Sequence, residues 1–159
     1  MTTFECKQVE FGSAAQRQCI VVRDNELRKP LGMSIYNDVP AIDTEGNQWH
    51  FACVDESSDE AQPTIAASLV LVPNLEEPTH IKLRQMAVPT AFHGKGFGRK
   101  LLTFAEDTAR AKGFTLIYCN ARKTALDFYI KCGWQLVDGV EFLEVGIPHL
   151  RMQKSLQLQ

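Results

Sequence analysis

The segment that most narrows the fold of this 159-residue chain is Val88-Pro-Thr-Ala-Phe-His-Gly-Lys-Gly-Phe-Gly-Arg-Lys-Leu-Leu102, in which three alternate glycines join an apolar run to an amphipathic one. Residues 81–88 alternate apolar and polar side chains and then become wholly apolar, as a strand ending at a buried site would. From residue 96 or 98 to 112, Leu101, Leu102, Ala105, Thr108 and Ala109 recur at helical spacing, which leaves Glu106, Asp107 and Arg110 for solvent. Gly94, Gly96 and Gly98 remove side chains where main chain must approach a ligand, and the first N–H groups of the helix have no partners within it. Such groups favour an anion, and Lys95, Arg99 and Lys100 add positive charge. The segment reads as a pyrophosphate cradle.

Spacing separates the candidate anions. A nucleoside-triphosphate loop needs a Lys-Ser or Lys-Thr pair after its last glycine, and here Arg99-Lys100 follows Gly98 with no hydroxyl. A nicotinamide-dinucleotide fold needs Gly-x-Gly-x-x-Gly and an acidic residue ending the next strand; this chain has Gly-x-Gly-x-Gly, and its next strand ends in Asn120.

The rest of the chain predicts one domain over residues 1–159, with enough apolar content, 45%, to need no disulfide or metal. Residues 19–23 form a β-branched run, with Asp24 or Asn25 capping a short helical turn before Pro30, and residues 31–48 carry only turn signals. Residues 49–54 and 64–72 predict a hairpin, and residues 115–119 a strand followed by a helix over 121–131. Residues 134–137 and 147–152 predict two last strands joined by a loop over 138–146. Strand, helix, strand, helix implies a parallel crossover with the ligand at the strand ends. The net charge of −2 argues against nucleic-acid binding, and no run approaches membrane-spanning length. Five cysteines without C-x-x-C spacing read as reduced thiols in a cytoplasmic protein.

His93-Gly-Lys-Gly-Phe-Gly98 resembles the Arg/Gln-x-x-Gly-x-Gly/Ala signature of the GCN5-related N-acetyltransferase (GNAT) family, with His93 at the usual Arg/Gln position. Asn120 to Trp134, containing Phe128-Tyr129-x-x-x-Gly133-Trp134, is similar to the family's second motif. The resemblance covers roughly residues 81–137. It implies a mixed α+β, three-layer fold: a central twisted sheet of about six to seven strands with helices on both faces.

It also implies acetyl-CoA as cofactor, no metal, and direct transfer of the acetyl group to a primary amine on a small molecule or peptide. On the family's pattern, Met86, Ala87 and Val88 bind the pantetheine arm through main chain, and an N–H of that strand stabilises the oxyanion. His93, Gly94, Lys95, Gly96, Phe97, Gly98 and Arg99 bind the pyrophosphate, and Asn120 bonds the pantetheine amides or caps the following helix. Tyr129 takes the position of the family's general acid, in place of a plain core aromatic. Glu144 and His149 are candidate bases. Cys119 and Cys132 read as packing residues in preference to acyl carriers. Asp38, Asp43, Glu45, Glu141 and Glu144 could draw in a cationic amine, and an exposed edge strand allows a homodimer. The alternative function is a non-catalytic acetyl-CoA-binding module, motivated by His93 and the absence of an obvious base.

Overall fold

A computed structural model of the chain describes residues 3–38 and 48–157. It contains strands β1 (Phe4–Val9), β2 (Trp49–Asp55), β3 (Ile65–Pro73), β4 (His80–Ala87), β5 (Leu116–Arg122), β6 (Gln135–Glu144) and β7 (Ile147–Ser155). Three α-helices accompany them: α1 (Ala14–Leu27), α2 (Phe97–Ala111) and α3 (Leu126–Lys131). The fold is mixed α+β with a seven-stranded sheet in the order β1-β2-β3-β4-β5-β7-β6, where β4 and β5 run parallel and β5, β7 and β6 antiparallel. The chain divides into two compact units, Met1–Val72 with Gln85–Ala105 and Pro73–Arg84 with Glu106–Gln159.

In the first unit, β1, β2 and β3 form an antiparallel ladder, and the side chains of β2 and β3 are buried almost throughout. That is why both read as near-continuous apolar runs. Residues 19–23, expected as a short β run, lie instead in the middle of α1. Ser13 caps this helix by accepting from the Gln16 N–H at 3.1 Å, and the Gln16 side chain reaches back to accept from the Gly12 N–H at 3.1 Å. The helix is thereby started six residues before the β-branched run, and packing carries it through. Its buried positions are Gln16, Cys19, Arg23 and Asp24, a helical spacing disguised by polar residues on the inward face. Cys19 packs with Val9, Ala52, Val54 and Ile65.

In the second unit, β4 and β5 pair from His80↔Leu116 to Lys82↔Tyr118. Ala121 and Arg122, expected to open a helix, continue β5, and α3 begins only after a 3-10 turn at Lys123–Ala125. The expected loop over 138–146 is also corrected, because strand β6 extends to Glu144. Its pairing with β7 shifts register between Leu136 and Glu141, so the turn-forming Asp138 and Gly139 fall in an irregular stretch of a strand. The β6–β7 hairpin turns on Val145 and Gly146, both at positive φ, 47° and 77°. Two such residues make a type I′ connection, whose twist matches that of paired strands.

Glu106 corrects a further expectation: it is 4% exposed, not solvated. Its carboxylate accepts from Trp134 Nε1 at 3.0 Å and from Lys154 Nζ at 2.7 Å, and Lys154 also donates to the Cys132 carbonyl at 2.8 Å. This network ties α2, the end of α3 and β7 together. Lys154→Ala leaves the Glu106 carboxylate buried with its cation removed, and should lower the unfolding free energy by roughly 2–4 kcal/mol in urea denaturation. Glu106→Gln keeps an acceptor for Trp134 and should cost less.

Candidate functional site

The first unit holds the cradle. Strand β4 ends at Ala87, a 3-10 turn at Thr90–Phe92 follows, and α2 begins at Phe97. Gly94 and Gly96 sit at φ 74° and 82°, which only glycine adopts without cost, whereas Gly98 lies buried in the first helical turn. Gly96 occupies the N-cap position, since its carbonyl accepts the first helical bond from the Lys100 N–H at 3.1 Å. A glycine there supplies no side chain to cap the N–H groups of Phe97, Gly98 and Arg99, which remain suited to an anion.

Two devices hold the loop. His93 Nε2 bonds the Val88 carbonyl at 2.7 Å, so that nitrogen carries the proton and the ring clips the loop back to the chain leaving β4. This gives the residue at the usual Arg/Gln position a structural role. Beneath the loop, Phe97 packs on Phe4 of β1 at 4.6 Å between centroids, and Phe92 packs on both at 5.5 and 5.6 Å. Lys95 and Lys100 place their ammonium groups over Phe92 and Phe97 at 5.8 and 6.0 Å. Further back, Glu26 of α1 accepts from the N–H of Thr90 at 3.0 Å. Neither Phe4 nor Glu26 carries a local motif that would have flagged it.

The second unit holds the other expected residues in two groups. In one, Asn120 Nδ2 donates to Glu144 Oε1 at 3.2 Å, and Glu144 Oε2 lies 3.5 Å from His149 Nε2. His149 is buried, stacked on Phe142, with Nδ1 on the Ile147 carbonyl at 2.9 Å. Because a carbonyl only accepts, Nδ1 carries a proton and Nε2 is left facing Glu144. The structure therefore joins the two candidate bases to each other and to Asn120, with Glu144 half-exposed and His149 behind it. The register explains this, since Glu144 and Ile147 flank the hairpin turn and Arg122 pairs with His149.

In the other group, Tyr129 is buried against Trp134, and its hydroxyl shares a hydrogen bond with the Cys119 thiol. Burial, then the neighbouring Cys119, pushes the Tyr129 pKa well above the phenol range, so the hydroxyl keeps its proton. Burial also raises the Cys119 thiol to about 12, only partly opposed by the Tyr129 hydrogen bond and the Lys82 charge. An acyl carrier needs a thiolate, and Cys119 is not one near neutrality.

The acidic residues expected to draw in a cation are largely engaged. Arg28 pairs with Asp38 at 2.8 Å, Lys123 with Glu141 at 3.3 Å, and Glu144 is taken up as above. Asp43 and Glu45 lie outside the described residues. Among the described residues, no group of His, Cys, Asp and Glu is arranged to hold a metal, and no helix is long and apolar enough to cross a membrane.

The family model described as "Acetyltransferase (GNAT) domain" matches residues 58–156. The chain is 34% identical over 74 residues to the uncharacterised N-acetyltransferase YjcF of Bacillus subtilis (strain 168), a stretch covering 46% of this chain and 53% of that protein. The matched stretch thus spans about half the length of that curated relative. A Lactobacillus plantarum crystal structure assigned as an N-acetyltransferase superposes with TM-score 0.76 at 25% identity, over 98% of this chain and 99% of that one. An aminoglycoside 6′-N-acetyltransferase complexed with coenzyme A shares the fold, with TM-score 0.72 at 12% identity over 98% of each chain.

The raised Cys119 thiol has a direct readout. At pH 9 a thiol of pKa about 12 is ionised to about one part in 10³, against about half for one at 9.0. Iodoacetamide should therefore label Cys119, which is only 2% exposed, far more slowly in the native protein than in the urea-unfolded chain at pH 9, low ionisation and burial acting together. Peptide mass spectrometry reads both.

Proposed function

The chain belongs to the GNAT acetyltransferase family, and from that premise we propose that it transfers an acetyl group from acetyl-CoA to a primary amine by direct attack. The observation that carries this reading is the cradle. Two left-handed glycines lead into a helix start whose N-cap is itself a glycine, with Lys95, Arg99 and Lys100 around it. Bound coenzyme supplies an acyl thioester activated toward an amine. The N–H groups from Gly94 to Arg99 hold the pyrophosphate, and the main chain of Met86, Ala87 and Val88 bonds the pantetheine arm and polarises the acyl carbonyl.

Asn120 offers its amide to the arm's amides, already oriented by Glu144. Glu144, backed by His149, accepts the proton that the attacking ammonium must lose. Tyr129 faces the opposite need, a donor for the departing sulfur. A hydroxyl whose pKa is raised donates a hydrogen bond throughout the neutral range, and Tyr129 would offer that bond to the sulfur of a bound coenzyme as it leaves. The high thiol pKa of Cys119 supports transfer without a cysteine-bound acyl group.

Of the two features that favour a non-catalytic binding module, His93 has a loop-holding contact and a candidate base exists in the Glu144–His149 pair. Five free thiols suit a reducing cytoplasmic setting. The acceptor is an amine on a small molecule or peptide.

Acetyl-CoA at a hundred times its Kd should stabilise the protein by about 2.7 kcal/mol, a rise in Tm of roughly 5–10 °C, which NAD at equal concentration should not reproduce. No shift with acetyl-CoA overturns the cofactor assignment. In single-turnover assays across an amine panel, Tyr129→Phe should slow acetyl transfer by about 10²-fold while acetyl-CoA affinity stays within about twofold. An unchanged rate removes Tyr129 as the donor.

A further inference from the structure

Gln85 combines two features that each disfavour the folded state locally. Its φ is 50°, and among the described residues only Val145 shares a left-handed φ without being glycine. Its side-chain Oε1 is buried with no hydrogen-bond partner among the described residues. Such features persist where surrounding groups hold them, and they gather at functional sites.

The surrounding groups here are Asp38 and Arg28. Gln85 Nε2 donates to Asp38 Oδ2 at 3.1 Å. The reversed amide would set an oxygen against that carboxylate, so its orientation is fixed. Asp38 is itself gripped in a bidentate pair, by Arg28 Nε at 2.8 Å and Nη2 at 3.0 Å, with side chains only 10% and 11% exposed. Arg28 is the C-cap residue of α1, so the clamp is anchored on a helix end. This chain of contacts ends at the backbone immediately before Met86.

We infer that Gln85 is a positioning residue. The Arg28–Asp38 clamp holds its amide, and the held amide fixes the left-handed backbone that aims the main chain of Met86, Ala87 and Val88 at the pantetheine arm. This rests on the coenzyme A reading above. Turning Nε2 toward Asp38 points the amide oxygen the other way, where no donor among the described residues meets it, and the left-handed conformation redirects the strand within a single residue.

Calorimetric titration separates the arm from the nucleotide. Coenzyme A is compared with 3′-phosphoadenosine 5′-diphosphate, which keeps the pyrophosphate and lacks the arm. Gln85→Ala should weaken coenzyme A about tenfold and leave the nucleotide within about twofold, because only the arm contacts the redirected strand. Gln85→Gly should return coenzyme A to within about threefold of the wild type, since glycine adopts φ 50° without a tether. Gln85→Glu keeps the shape, sets a carboxylate against Asp38 and should behave as Gln85→Ala, which carries the test if the alanine variant does not fold.

Unchanged coenzyme A affinity in the Ala and Glu variants, equal weakening of both ligands, or a glycine variant as weak as alanine would each overturn the positioning role. A wild-type protein that binds neither ligand overturns the coenzyme reading itself. A wild type that binds coenzyme A no tighter than the nucleotide overturns the role assigned to the arm.

Discussion

Main-chain N–H groups that a helix cannot satisfy internally set the terms for the first unit. The start of α2 presents them, and Gly96 at the N-cap has no side chain of its own to answer them. Contacts on several sides hold the turn in place. His93 is tied to Val88, Thr90 is tied to Glu26, and the aromatic rings of Phe92 and Phe97 are spent on Phe4. The two nearby lysines lean over those rings, so positive charge is held near the turn without entering it.

The second unit solves a different problem, that of keeping protons on the right atoms. Burial holds one on Tyr129 and another on Cys119. The Ile147 carbonyl holds one on His149 Nδ1, which leaves Nε2 to Glu144. These assignments depend on register: a hairpin that turned one residue earlier or later would send Glu144 or His149 to the other face of its strand. Val145 accepts a φ of 47° to keep that register, an unusual position for a β-branched residue.

What could be read from the sequence follows the same division between backbone and side-chain causes. The glycine turn, the strand before it and the helix after it were legible because glycine spacing and helical periodicity report directly on main chain. The Phe-Tyr-x-x-x-Gly-Trp stretch was legible as a family pattern. Helix α1 was not, because its buried face carries Gln16, Arg23 and Asp24 while the visible apolar run Cys19-Ile-Val-Val mimics a strand. The Ser13-x-x-Gln16 capping pattern was present and outranks that run in physical terms. Strand β6 was hidden by Asp138 and Gly139, turn residues that a register shift absorbs. Glu106 looked solvated on a helical wheel because its partners, Trp134 and Lys154, come from far along the chain. The Gln85 tether was illegible for the same reason, since no local pattern connects Arg28, Asp38 and Gln85.

The contact of Phe4 with Phe92 and Phe97 gives the turn a dependence on chain order. The first strand of the protein supplies one wall of a loop that is synthesised much later, so the loop has its floor only when β1 has been drawn back into the ladder against β2. Contacts this remote in sequence form late, after the entropy of closing the intervening chain has been overcome. The glycine turn therefore has its aromatic floor only with β1 in place, and an otherwise folded chain whose first strand has frayed would keep its helices and lose that wall of the turn.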